Sequence, residues 1–414
     1  FTWTILMSKN EIHQVTEQAT RETTPIWNIF ITFLKLGLTS FGGPVAHIGY
    51  FHKEFVERKR WLDENTFSQL LAISQFIPGP ASSQLGFAIG LLRSGWLGAI
   101  TAFTAFTLPS TLILVFFASS LSLLSGDIFV AAIHGLKIVA CAVVADAVLG
   151  MSKKLCTDMQ RRTITIVTLC ALLLFDMPWL QVLLIIFGAL AGLVLCKNIT
   201  PSNNSQLNIG YGKTTGGIVF MVFLVIFAML LFPPIQSNLL TLAETFYRSG
   251  SLVFGGGHVV LPLLEDSVVT AKMVTDADFL AGYGASQAIP GPMFAFAAYL
   301  GALIPTGFNS WIGAAIALLF MFLPGFLLLT AALPFWQTIA HKAKMASAIA
   351  GINATVVGML AAALYDPIFT SSIHSNSDLA IAVVAFSMLT IWKLSPLWVV
   401  LITVSSSVLL SMTI

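Results

Sequence analysis

The chain has 414 residues, of which 57% are hydrophobic and 9% charged, and its mean hydropathy is +0.90. A soluble domain carries about 25% charged residues, so the charge needed for a polar shell is missing and the composition specifies a polytopic α-helical membrane protein. A net charge of +2 over 20 Lys and Arg leaves no basic face, which excludes nucleic acid as a partner.

In chain order, residues 1–25 form a polar N-terminal segment with no cleavable signal. Met7-Ser8-Lys9-Asn10 reads as a native start, which leaves Phe1 to Leu6 without a role. An apolar stretch at 26–50 is interrupted by Phe41-Gly42-Gly43-Pro44 and followed by a loop at 51–66 with Lys53, Arg58, Lys59 and Arg60. Three apolar segments follow, at 67–92, 95–120 and 128–150, the first broken by Pro78-Gly79-Pro80. A second basic loop at 151–162 carries Lys153, Lys154, Arg161 and Arg162. A first repeat spans 26–197, a polar linker covers 198–215, and 216–414 is a second repeat with an extra leading helix at 216–233. Cys141, Cys156, Cys170 and Cys196 show no CxxC pairing or metal-ligand spacing and read as small apolar fillers.

The repeat is visible residue by residue. Phe33-Leu34-Lys35-Leu36-Gly37 and Phe41-Gly42-Gly43 recur 213 positions later as Phe246-Tyr247-Arg248-Ser249-Gly250 and Phe254-Gly255-Gly256. Ser74-Gln75 through Pro78-Gly79-Pro80 recurs 212 positions later as Ser286-Gln287 through Pro290-Gly291-Pro292. Trp96 and Leu108-Pro109 match Trp311 and Leu323-Pro324. The counterpart of the basic loop 51–66 is 263–278, which holds Glu265, Asp266, Asp276 and Asp278 against a single Lys272. Basic loops belong in the cytoplasm, so equivalent loops fall on opposite faces and the two repeats are inverted. The extra span at 216–233 supplies the flip, and the linker 198–215 is expected in the cytoplasm.

Pro-Gly-Pro within an apolar segment cannot continue an α-helix, because Pro removes a donor and Gly tolerates turn dihedrals. Either such a motif merely kinks an ordinary span, or it breaks a helix that enters and returns. Two matched breaks in each half favour functional breaks, whose half-helix ends converge near the midplane on an anion. Ser40, Gly42, Gly43, Gln75, Gly79, Ser82 and Ser83 line these breaks in the first half, with Gly255, Gly256, Gln287 and Gly291 in the second. Gln84 follows the serines, which Met293-Phe294-Ala295-Phe296 replace in the second half, so the pocket is expected to be asymmetric.

Ionisable residues inside apolar segments are costly, about 3 kcal/mol each at mid-helix. Lys35 and Arg248 occupy equivalent positions before the two Phe-Gly-Gly breaks and are candidate oxyanion ligands. Snorkelling to an interface is the other reading of Lys35, and neutralisation by Glu244, four residues earlier, that of Arg248. His47 and His258 either titrate with a coupling proton or serve as structural imidazoles. Lys137, Asp146 and Asp176 belong to a proton path or to helix pairs. No catalytic cluster, phosphate loop or metal constellation is present, so neither an enzyme nor a cofactor is expected.

The run Phe33 through Tyr50, then Phe55-Val56-Glu57-Arg58 with Trp61-Leu62, and Ser74 through Gln84, resembles the chromate ion transporter family. Val253 through Pro262 and Gly282-Tyr283-Gly284 through Pro292 resemble the second domain of its two-domain members. The resemblance implies a multi-pass protein of the bacterial inner membrane that exports chromate and confers chromate resistance, with sulfate as competitor or alternative substrate. Together with the broken helices it gives an alternating-access transporter driven by the membrane potential or by proton antiport. A sulfate transporter or an anion channel is the alternative. The lipid bilayer and, as one option, a second copy of the chain complete the expected partners.

Overall fold

The computed structural model describes residues 24–40, 43–121, 127–175, 180–196, 207, 209–231, 237–253, 260–336 and 343–413. Among these residues every regular element is helical. Helix α1 (Ile26–Thr39) and α2 (Gly43–His52), which runs on as a π-helical turn at Lys53–Arg58, are the arms of the first broken segment. Helices α3 (Glu64–Phe76) and α4 (Ala81–Leu121) flank Pro78-Gly79-Pro80. Next come α5 (Asp127–Leu155), α6 (Met159–Leu174) and α7 (Leu180–Leu195), then the added α8 (Lys213–Leu231). The order then recurs as α9 (Asn238–Leu252), α10 (Val260–Leu264) with a π-helical turn at Glu265–Thr270, and α11 (Asp276–Ala288). It closes with α12 (Phe296–Leu303), α13 (Ser310–Ala332), α14 (Ala343–Ala363), α15 (Asn376–Thr390) and α16 (Pro396–Thr413). Stretches 81–121, 128–153, 213–230, 310–335 and 344–366 are long and apolar enough to cross a membrane.

Matched caps start matched helices. Asp63 accepts the Thr66 N–H at 2.7 Å to open α3, and Thr275 accepts the Asp278 N–H at 3.1 Å to open its counterpart α11. Asp158 opens α6, and a Ser375–Asp378 capping box opens α15.

Residues 81–121 do not form one straight helix. Ser94 (φ −151°, ψ 29°) and Gly95 (φ +62°, ψ −154°) leave helical space, and the chain doubles back so that Gly90 and Gly98 meet backbone to backbone. A side chain on either glycine would collide with the opposing carbonyl. Gly301 and Gly313 make the same contact between α12 and α13. There the turn is the open loop 304–309, a longer connection that raises the offset between halves from 212 to 215.

Thr24, just before α1, donates its N–H to the Arg93 carbonyl at 3.1 Å, and Arg93 reaches both Thr24 Oγ1 and the Trp61 carbonyl. Farther along α1, Gly37 abuts the carbonyls of Ala105 and Phe106. Phe51 and Phe55 return against Phe33, with ring centroids 5.8 and 5.0 Å away, and His52 Nε2 lies 2.8 Å from Glu64. The start of α1, loop 59–63 and the Ser94-Gly95 turn therefore gather at one end, while Ser40 and Gly79 are buried. Trp96 stacks on Tyr211, whose hydroxyl donates to the Thr330 carbonyl near the end of α13. Phe116, late in α4, meets Trp311 at the start of α13. The added α8 packs on the second half, where Phe223 and Phe227 meet Tyr247 and Gly216 abuts Ala331.

Candidate functional site

Each Pro-Gly-Pro loop docks on the broken helix of the other half. Ser40 ends α1 and Val253 ends α9, both in extended conformation. The Gly79 N–H donates to the Val253 carbonyl at 2.7 Å, and the Gly291 N–H donates to the Ser40 carbonyl at 3.0 Å. Both glycines have positive φ, +126° and +102°. A Cβ on Gly79 would lie 2.9 Å from the Gly325 Cα, and one on Gly291 would lie 2.9 Å from Ser110 Oγ. Glycine is therefore required twice over, by dihedral and by space. Gln84 Nε2 fastens the first loop by donating to the carbonyls of Pro78 (2.8 Å) and Gly325 (3.0 Å).

Ser40, His47, Ser82, Ser83, Gln84, Thr107 and Ser110 are all buried. His47 Nε2 lies 3.2 Å from the Ser40 carbonyl and so donates to it, while its ring meets Phe106 edge-on at 5.4 Å. Thr107 follows Phe106, and Ser110 Oγ donates to the Thr107 carbonyl. One turn from Ser83, Gly86 packs on Phe33 and Phe51, which places Ser83 at the depth of His47, one turn from Phe51. Ser40 Oγ, His47 Nδ1, Ser83 Oγ, Gln84 Oε1 and Thr107 Oγ1 are buried without a hydrogen-bond partner. Buried polar atoms without a partner are uncommon, and these five lie on the elements around the first-half breaks.

The charged candidates sit differently. Lys35 is exposed and shares a stripe of α1 with the exposed Trp27, Ile31 and Leu38, facing away from the break. Arg248 is half-buried and pairs with Glu244 at 3.3 Å. Gln75 is exposed, whereas Gln287 is buried and bonded to Ser286 Oγ and Met293 Sδ. Lys137 and Asp146 are half-buried in α5. Gly43 begins α2, and Gly42, Gly255, Gly256, His258 and Asp176 lie outside the described residues. Thr107 and Ser110 escaped sequence reasoning, although they flank the Pro109 that aligns with Pro324.

A crevice of about 510 Å³ beside His134 and Asp378 is a poorer candidate. Its Asp378 carboxylate is already used by His134 Nε2 at 2.8 Å and by the N–H groups of His374 and Ser375.

The sequence pattern of the chromate transporter family matches residues 27–193 and again 240–408. The chain belongs to the chromate transporter family. That is a transporter family, not an enzyme family, and with its apolar helices this member is a multi-pass membrane protein. It is 28% identical to an uncharacterised transporter of Methanocaldococcus jannaschii over 85% of this chain and 87% of the relative. It is 27% identical to a probable chromate transport protein of Synechococcus elongatus, over 87% and 88% of the two chains. The chromate transport protein of Pseudomonas aeruginosa is 27% identical over 82% of this chain and 80% of its own length. No solved structure matches significantly.

Proposed function

We propose that the chain exports chromate across the bacterial inner membrane by alternating access, through two inverted repeats whose broken helices enclose the anion. The observation that carries this reading is the crosswise docking of Gly79 on Val253 and of Gly291 on Ser40. Irregular backbone at membrane depth persists only where protein or a watery cavity satisfies it, and paired breaks of this kind house transport sites. Inversion is supported at both ends of the bundle. Trp96 and Thr330 meet through Tyr211, and Phe116 meets Trp311, so α4 past its turn and α13 run antiparallel. The hairpin reading of α1–α2 and of α3 with the start of α4 is supported by their ends gathering at Thr24, Trp61 and Arg93. The names of the Synechococcus and Pseudomonas relatives support chromate as the anion. Efflux of a dianion from a cell negative inside gains about 2.3 kcal/mol per charge per 100 mV.

The test is uptake into everted membrane vesicles at imposed potentials, with chromate alone and with excess sulfate. The expected result is saturable uptake driven by an interior-positive potential and competed by sulfate. Chromate uptake no greater than in vesicles lacking the protein overturns the assignment, and flux that never saturates turns the reading to a channel.

A further inference from the structure

We infer that the first half of the chain alone holds the oxyanion, one per chain, in a neutral site formed by the Ser40, Ser83 and Thr107 hydroxyls at the N-terminus of α4. The inference rests on the oxyanion transport proposed above and says where the anion sits and what binds it.

Hydroxyls in membrane helices ordinarily bond back to their own helix. Thr32, Ser74, Thr245 and Ser249 do so here, each donating to the carbonyl four residues earlier. Thr107 sits in mid-helix, 1% exposed, and makes no such bond; Ser40 and Ser83, at 0% and 2%, are equally unpartnered. Thr168, Thr355 and Ser372 are also unpartnered, but Thr168 and Thr355 face Gly358 and Gly188 singly, and Ser372 closes the three-residue turn Thr370–Ser372.

The second half makes the argument sharper by residue type: the counterparts of Ser40, Ser83 and Thr107 are Val253, Ala295 and Phe322, none of which carries a hydroxyl. Neither of the paired cations replaces them, since Lys35 faces outward and Arg248 pairs with Glu244. What remains for an anion is the positive end of α4 and three O–H donors, which suit the acceptor oxygens of a tetrahedral oxyanion. His47 Nδ1 and Gln84 Oε1 are acceptors and stand outside this donor set.

The inference makes two demands with opposite signs. A hydroxyl kept unpartnered in the apo protein lowers its stability, so Thr107→Val is expected to leave the thermal midpoint unchanged or higher. The same change removes a charge-assisted hydrogen bond and is expected to weaken binding about tenfold or more. The experiment is calorimetric titration of the purified full-length protein with chromate and, separately, sulfate, alongside flux in proteoliposomes. Wild type is expected to bind one equivalent per chain, with Thr107→Val and Ser83→Ala weakened, Thr107→Ser restored and Ala295→Ser unchanged. Wild-type affinity in both Thr107→Val and Ser83→Ala, or two equivalents per chain, overturns the inference while leaving the transporter standing. Neither binding nor flux of chromate or sulfate by wild type overturns the transport reading instead.

Discussion

At residue 40 the first half of the chain has a serine where the second half, at residue 253, has a valine. The contrast recurs at His47 and Val260, Ser83 and Ala295, Gln84 and Phe296, and Thr107 and Phe322. Yet the two glycines that turn the breaks, Gly79 and Gly291, keep the same left-handed backbone and the same partner position. Backbone geometry is shared, whereas side-chain chemistry is divided at these five positions. A second contrast lies at the C-terminal ends of α2 and α10. His52 in the first half meets Glu64 and Glu57, and those carboxylates, the Glu64 hydrogen bond foremost, hold its pKa above the usual value. Its counterpart Glu265 sits near Asp266, Asp276 and Asp366, and burial first, then these like charges, raises it to about 7.

The largest expected effect would break the shared scaffold. Gly79→Ala and Gly291→Ala each force a side chain into positive φ and against neighbouring backbone or a hydroxyl. Each is expected to destabilise by about 2 kcal/mol or more, and to abolish chromate flux, in thermal unfolding and vesicle assays. A large loss from only one of them would make the scaffold as one-sided as its lining. Next in size is Gln84→Leu, which deletes the tie between Pro78 and Gly325. Two buried carbonyls then lose a donor, for about 1–3 kcal/mol, whereas Phe296→Leu in the second half is expected to cost less.

A smaller effect concerns pH. Glu265 has a folded pKa of about 7 against a usual 4.5, so between these values the folded state holds more protons than the unfolded one. Stability is therefore full below pH 4.5 and declines as pH rises to about 7. Glu265→Gln is expected to flatten that decline in unfolding midpoints measured across the range, and an unchanged slope would place the titration elsewhere. Smallest is Lys35→Ala, expected to leave chromate flux within about twofold of wild type, because exposed charges contribute little. A collapse of flux would return Lys35 to the site and end the neutral-donor reading.

Much of this was legible in the sequence, because a duplicated chain reports its own landmarks. Pro78-Gly79-Pro80 and Pro290-Gly291-Pro292 announce breaks through elementary backbone chemistry, and Met293-Phe294-Ala295-Phe296 opposite Ala81-Ser82-Ser83-Gln84 announces the asymmetry. The outward direction of Lys35 was harder to read. Its stripe of Trp27, Ile31 and Leu38 is apolar, and in lipid an apolar face marks outside as readily as inside. Thr107 was hidden for another reason: a hydroxyl in a helix is unremarkable until its usual back-bond is found missing. The docking of Gly79 on Val253 joins residues 174 positions apart, and no local pattern encodes it.

That docking has a consequence for how the protein is made. When the first half enters the bilayer, residue 291 has not yet been synthesised, so the Ser40 carbonyl must wait for its partner. Later, Gly291 and Val253 find their complements already in place. The two halves thus complete each other during biogenesis, because each supplies the backbone partner that the other's break lacks.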